Sequence, residues 1–198
     1  AKTSSVCGES RTVLLRVRSQ NTRKSFLPWH FHRDGALVAS AGPPATSEDG
    51  VTTEDEVVLR DVAPLQPRIR LNGHASRVHA LEFSQDGTTL TAAGGDGMVT
   101  LWAVAEGEIV STLKGHDGPV GSVALSPQGN LLAAANSDDS VSLWDVIRGE
   151  VTLTCELHPS EVTSVVFSPD GERIVSESRD GTVMVCHVGT GQTVQTLK

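Results

Sequence analysis

The sequence predicts an all-β fold in which one unit of four short antiparallel strands is written several times over. Three observations carry this reading. Gly73-His74 returns as Gly115-His116, 42 residues on (115 − 73), and the same frame meets Leu157-His158 after a further 42. Each period holds four short apolar runs of β character separated by Pro, Gly, Asn and Asp, the pattern of strands joined by hairpin turns. No period holds ten residues of helical spacing, so helix does not compete. A fixed period of about 20–50 residues marks a repeat architecture, and four antiparallel strands per repeat of this length describe a propeller blade.

Taken in order, residues 1–22 form an N-terminal segment. Its first ten residues are small and polar. Val13, Leu15 and Val17 then alternate in a lone strand. Residues 23–72 read as a divergent blade: Phe31-His32-Arg33-Asp34-Gly35 matches Phe83 to Gly87, and Leu59-Arg60-Asp61 matches Leu101 to Ala103. The two offsets, 52 and 42, differ by ten, which places an inserted loop at 42–55. That stretch is rich in Pro, Gly, Ser, Thr and acid and has no apolar period, so it reads as a solvated loop. Three blades follow at 73–114, 115–156 and 157–198. In the second of these, Val120, Val123 and Leu125 precede the turn Ser126 to Gly129, the runs Leu131–Ala135 and Val141–Trp144 follow, and Val151 to Leu157 closes the unit.

Asp96, Asp138 and Asp180 keep the frame, as do Trp102, Trp144 and Cys186, with cysteine at the third tryptophan position. Gly-His, Asp and Trp at these offsets, with Leu143-Trp144-Asp145 closing a third strand, resemble the WD-repeat (WD40) β-propeller family. That resemblance implies a ring of about seven blades. The chain opens without Met at Ala1 and stops at Lys198, and both ends read as cuts. The expectation is therefore about four blades here, within a larger ring completed by further blades of the same polypeptide. The resemblance also implies a structural network of His, Ser or Thr, Asp and Trp in each blade. No copy has all four members: Ala92 and Ala134 replace the hydroxyl, whereas the last copy keeps Ser176 and lacks the indole. The expected remnants are the pairs His74–Asp96, His116–Asp138 and His158–Asp180, with Trp102, Trp144 and Ser176 beside them.

No catalytic set stands out. His158, Ser176 and Asp180 have the composition of a nucleophilic triad, but they fall on the structural network. His30 and His32, two apart on one strand face, find no further zinc ligands nearby and read as polar residues flanking inward Trp29 and Phe31. Gly94-Gly95-Asp96-Gly97 precedes a strand rather than a helix, so it is a hairpin turn and not a phosphate loop. Asp138-Asp139 offers too few ligands for calcium. No metal or cofactor is expected.

The net charge of −8 is uneven: residues 1–72 carry 10 Lys+Arg and 8 Asp+Glu, residues 73–198 carry 6 and 16. An acidic arc disfavours nucleic-acid backbone. Arg16, Arg18, Arg23 and Lys24 read as a solvated basic edge. Cys7, Cys155 and Cys186 are odd in number and scattered, as free thiols in a reducing compartment would be, so the expected location is intracellular and cytoplasmic. No apolar run is long enough to span a membrane. The resemblance implies a non-enzymatic scaffold that holds protein or peptide partners on the ring face bearing the Gly-His loops. By register, Arg77, His79, Glu161, Thr163 and Arg179 reach that face. The alternative is a regulatory or sensor propeller attached to a kinase or nucleotide-binding enzyme elsewhere in the polypeptide.

Overall fold

The computed structural model describes residues 28–42, 55–114, 118–156 and 158–198. The lone strand and the rest of the N-terminal segment, the interior of the 42–55 insertion and His116 lie outside them. The described residues form four sheets of four antiparallel strands and no helix. The first blade holds β1 (Trp29–Phe31), β2 (Leu37–Gly42), β3 (Glu56–Val62) and β4 (Leu65–Leu71). The second holds β5 (Val78–Phe83), β6 (Thr89–Gly94), β7 (Met98–Ala103) and β8 (Ile109–Lys114). The third holds β9 (Val120–Leu125), β10 (Leu131–Asn136), β11 (Ser140–Asp145) and β12 (Glu150–Glu156). The fourth holds β13 (Val162–Phe167), β14 (Arg173–Ser178), β15 (Val183–His187) and β16 (Thr193–Leu197). Within each sheet, strand order follows chain order, so every connection inside a blade is a hairpin.

Local chemistry repeats with the frame. The turn between first and second strands puts Gly35, Gly87, Gly129 and Gly171 at φ between 70° and 77°, a left-handed conformation that glycine adopts without a Cβ clash. The next turn uses Gly97 and Gly181 in the same conformation, but Asp139 at φ 70° in the third blade. A β-bulge interrupts the pairing of third and fourth strands at one equivalent place in all four sheets: Leu59/Arg60, Leu101/Trp102, Leu143/Trp144 and Val185/Cys186. The extra residue sharpens the local twist and does so beside the position held by tryptophan in the two middle blades.

The apolar core lies between blades rather than within them. Leu59 and Leu71 of the first blade cluster with Leu81, Leu90 and Trp102 of the second. Val99, Leu101 and Leu113 of the second cluster with Val120, Leu132 and Trp144 of the third. Val141, Leu143 and Cys155 of the third cluster with Val162, Ile174 and Cys186 of the fourth. The second strands are therefore covered on both faces, which explains why Leu90–Ala93 and Leu132–Ala135 read as continuous apolar runs without alternation. Among the described residues, nothing covers the far face of the fourth blade in this way. Its Leu197 is 51 % exposed, whereas its counterparts Leu71, Leu113 and Cys155 are each 3 % exposed or less.

Polar side chains of the first strands stitch neighbouring blades together. His30 Nδ1 accepts from the Phe83 amide at 3.2 Å, and Glu82 Oε2 accepts from the Leu125 amide at 2.9 Å. These two bonds are equivalent, since His30 aligns with Glu82 and Phe83 with Leu125. Ser122 makes a similar bridge to the Val165 amide at 3.3 Å. The histidines thus correct the reading of them as mere flanks of Trp29 and Phe31. Both His30 and His32 pack against Phe83, at centroid distances of 5.8 and 5.3 Å, and His32 Nε2 also reaches the Gly87 carbonyl at 3.1 Å. Burial lowers the His30 pKa and keeps the ring neutral, as an accepting Nδ1 requires.

Burial pushes the Glu82 carboxyl from 4.5 up to about 8, with the Leu125 amide pulling the other way. Between those values the folded chain keeps a proton that the unfolded chain has lost. The contribution of Glu82 to stability is therefore full below pH 4.5 and is lost as pH rises towards about 8. Glu82→Gln keeps an acceptor for Leu125 but does not titrate. Its thermal midpoint, measured against the parent from pH 4.5 to pH 8, is expected to gain steadily on the parent as pH rises. A difference independent of pH would show that Glu82 is ionised in the fold.

Candidate functional site

In the second blade the hairpin between β6 and β7 brings Asp96 back against the loop before β5. His74 Nδ1 lies 3.1 and 3.2 Å from the two Asp96 carboxylate oxygens, and Nε2 lies 3.2 Å from the Ala92 carbonyl. Asp96 also accepts from the amides of Ala75 and Met98, both at 3.1 Å. The backbone carbonyl of Ala92 thus stands in for the hydroxyl that alanine lacks. Trp102 Nε1 donates instead to the Asn72 carbonyl at 3.2 Å, and its ring lies 5.9 Å from that of His74. His, Asp and Trp are brought together, but no side-chain hydroxyl relays one to the next.

The fourth blade is wired differently. His158 does not bond Asp180 directly, as the sequence led us to expect; Thr182 stands between them. His158 Nδ1 meets Thr182 Oγ1 at 2.9 Å, and that hydroxyl donates to Asp180 Oδ1 at 2.7 Å. On its other side, His158 Nε2 meets Ser176 Oγ at 2.8 Å. Burial lowers the His158 pKa against the opposing pull of Asp180. The neutral ring suits this site: Nδ1–H donates to the Thr182 hydroxyl, whose own proton goes to Asp180, and Nε2 accepts from the Ser176 hydroxyl. Asp180 is held below its usual range chiefly by the Thr182 hydroxyl and amide. Ser176 is 1 % exposed, so the Ser–His contact is sealed from any substrate and acts as internal wiring.

In the third blade His116 lies outside the described residues. Asp138 accepts from the Ser140 amide at 3.1 Å and hydroxyl at 2.6 Å, and Trp144 is buried on β11. The 42-residue frame does not single out Thr182 and Ser140, because the equivalent residue of the second blade is Met98. The available signal was local: a hydroxyl two residues after an Asp is a recurrent turn pattern.

The five surface candidates stand at one end of the blades. In each case a backbone bond ties the start of the first strand to the turn after the second: Gly95 to Arg77, Ser137 to Pro119 and Arg179 to Glu161, at 2.8, 3.1 and 2.9 Å. Arg77, His79, Thr163 and Arg179 are exposed there, and Glu161 is partly so. Arg179 Nη1 pairs with Glu161 Oε2 at 2.6 Å. Thr163 donates to the Glu177 carbonyl at 3.1 Å, and His79 Nδ1 lies 3.3 Å from the Val120 carbonyl of the next blade. Among the described residues, no acid pairs with the Arg77 guanidinium.

The family model described as WD domain, G-beta repeat matches residues 65–103, 107–145 and 149–187. The matches span more than half of the chain, which belongs to this family. Each matched segment begins at or just before the fourth strand of one blade and runs through the first three strands of the next, so one sequence repeat straddles an inter-blade core. WD40 propellers are typically non-enzymatic scaffolds that bind proteins or peptides. A comparison with curated proteins finds no match. Among the described residues, no helix is long and apolar enough to cross a membrane.

The two wirings should respond differently to one change. Asp96 uses both carboxylate oxygens, so Asp96→Asn turns an amide NH₂ towards a donor and is expected to cost about 1.5–3 kcal/mol. Asp180 uses Oδ1 alone in its bonds to Thr182, so Asp180→Asn keeps its acceptor and is expected to cost clearly less than Asp96→Asn. Denaturant unfolding of both variants checks the order; equal losses would contradict the relay through Thr182.

Proposed function

We propose that this chain is a non-enzymatic protein-interaction scaffold, presenting the end of its blades that carries Arg77, His79, Glu161, Thr163 and Arg179 to a peptide or protein partner within a larger assembly. The observation that carries this reading is Arg77: an exposed guanidinium without an acid partner among the described residues, on a rigid strand lead-in. The Glu161–Arg179 pair adds charge of both signs two blades away. Exposed pairs contribute about 0–1 kcal/mol to stability, so a partner's acid can exchange into this pair at little cost. Arginine is also enriched among residues that dominate binding energy.

The fourth blade supports the proposal of a larger ring. Val183, Val185 and Leu197 repeat the positions of Val99, Leu101 and Leu113, which the next blade covers. In the fourth blade Leu197 stands open, as does Val166 at 52 % exposure, whereas its counterpart Ala124 is buried. A further blade of the same polypeptide is the proposed cover. The proposed location is the cytoplasm, supported by the free thiols of Cys155 and Cys186 in a family of interaction scaffolds.

The test is capture of partners by the tagged chain, followed by mass spectrometry, with Arg77→Glu and Arg179→Ala as comparisons. Each change is expected to weaken capture of one common partner about tenfold or more. Each should leave the thermal midpoint within about 2 °C, as surface changes do. A partner retained at full strength by both variants would move the interaction to another surface.

A further inference from the structure

The repeat places one recurring pair of side chains in every inter-blade core. Leu71 on β4 shares the first core with Trp102 on β7. Leu113 on β8 shares the second with Trp144 on β11. The third core has Cys155 on β12 with Cys186 on β15. Cys155 lies 42 residues after Leu113, and Cys186 lies 42 after Trp144. Both partners of one repeated leucine–tryptophan position have therefore become cysteine together. Their sulfur atoms lie 3.2 Å apart, about 1.2 Å beyond a disulfide bond of about 2.05 Å.

We propose that Cys155 and Cys186 are a redox-active pair whose disulfide, formed by a peroxide, ties the third blade to the fourth. The reaction balances as follows. The Cys155 thiolate attacks one oxygen of hydrogen peroxide, the O–O bond breaks, and the second oxygen leaves as water after taking a proton. The resulting Cys155 sulfenic acid is then attacked by the Cys186 sulfur. The S–O bond breaks, the S–S bond forms, and the departing hydroxide takes the Cys186 proton to leave as a second water. Two thiols lose two electrons and two protons, and one peroxide is reduced to two waters.

The surroundings decide which cysteine does which. Burial first, and then Cys155 itself, push the Cys186 thiol up to about 12. Cys186 is fully buried at 0 % exposure and Cys155 stands at 3 %. Cys186 therefore stays protonated until it condenses, and Cys155 meets the oxidant. A site this closed admits a small neutral oxidant more readily than a bulky charged disulfide. Both cysteines are free thiols in the structure. The bond would close a loop of 31 residues that contains His158, β13 and β14. It would staple the blade whose other face is open to the one beside it.

The experiment uses the full chain with Cys7→Ser, which removes the third thiol. The protein is exposed to hydrogen peroxide, alkylated and mapped without reduction, and its thermal midpoint is read before and after dithiothreitol. The expected result is a linked peptide joining Cys155 to Cys186, an intact mass lower by two hydrogens, and a midpoint raised by about 5–10 °C that dithiothreitol reverses. Adding Cys155→Leu restores the residue type of Leu71 and Leu113; that variant is expected to fold and to show no peroxide shift. Recovery of both cysteines as alkylated thiols would overturn the proposal and leave the pair as inert packing. Oxidation to sulfinic acid without a cross-link, or a cross-link that lowers the midpoint, would overturn it too.

Discussion

Everything in this fold depends on the apolar cores formed where one blade packs against the next. A four-stranded sheet of short strands has two faces and too little apolar surface to stand alone. Stacking sheet on sheet buries both faces of the middle strands, which is why Leu90, Leu132, Ala133 and Ile174 are all fully buried. At about 25 cal/mol per Å² of apolar surface, the indole of Trp102 or Trp144 contributes more to its core than any neighbouring Val or Ala can. The bulge beside each of these positions turns the strand, and the same bulge persists in the fourth blade although the side chain there is Cys186. The backbone geometry of the repeat has outlasted the residue that fills it elsewhere.

The polar wiring is secondary to that packing, and it varies accordingly. His74 reaches a carboxylate and a backbone carbonyl; His158 reaches two hydroxyls. Either arrangement satisfies an imidazole in a closed turn, where an unpaired polar group costs about 1–3 kcal/mol. What both achieve is to hold the lead-in to the first strand against the turn after the second. The exposed side chains at that end, Arg77 and Arg179 among them, are thereby mounted on fixed backbone. A partner pays little ordering entropy to bind such a surface. The Ser176 hydroxyl is likewise spent on His158 inside the wall.

The repeat was legible because its period is long, regular and punctuated by glycine. Trp102 and Trp144 fall on third strands of neighbouring sheets, and the strands of the last three sheets follow the 42-residue frame. The divergent first sheet was found by frame too, through Phe31 and Leu59. What the period conceals is contact across repeats. Comparing residues 42 apart identifies equivalents and does not show which buried side chains meet; Cys155 and Cys186, which do, are 31 apart. Three cysteines therefore read as scattered although two of them face each other. Glu82 and His30 were hidden in the same way, since each acts on the next blade. Thr182 was hidden for a different reason, because a hydroxyl beside an Asp is common and only the fold shows it reaching His158.

If stability resides in the cores between blades, protection must rank by how many of them a blade shares. The second and third blades each share two. Among the described residues the fourth shares one, which lacks the tryptophan. Hydrogen exchange of the reduced chain, resolved by peptide, measures this directly. Amides of residues 158–198 are expected to exchange at least about tenfold faster than those of 73–114 and 118–156, with β16 fastest. Equal protection across the three blades would contradict the account, because it would mean that each sheet is stable on its own strands rather than on its neighbours.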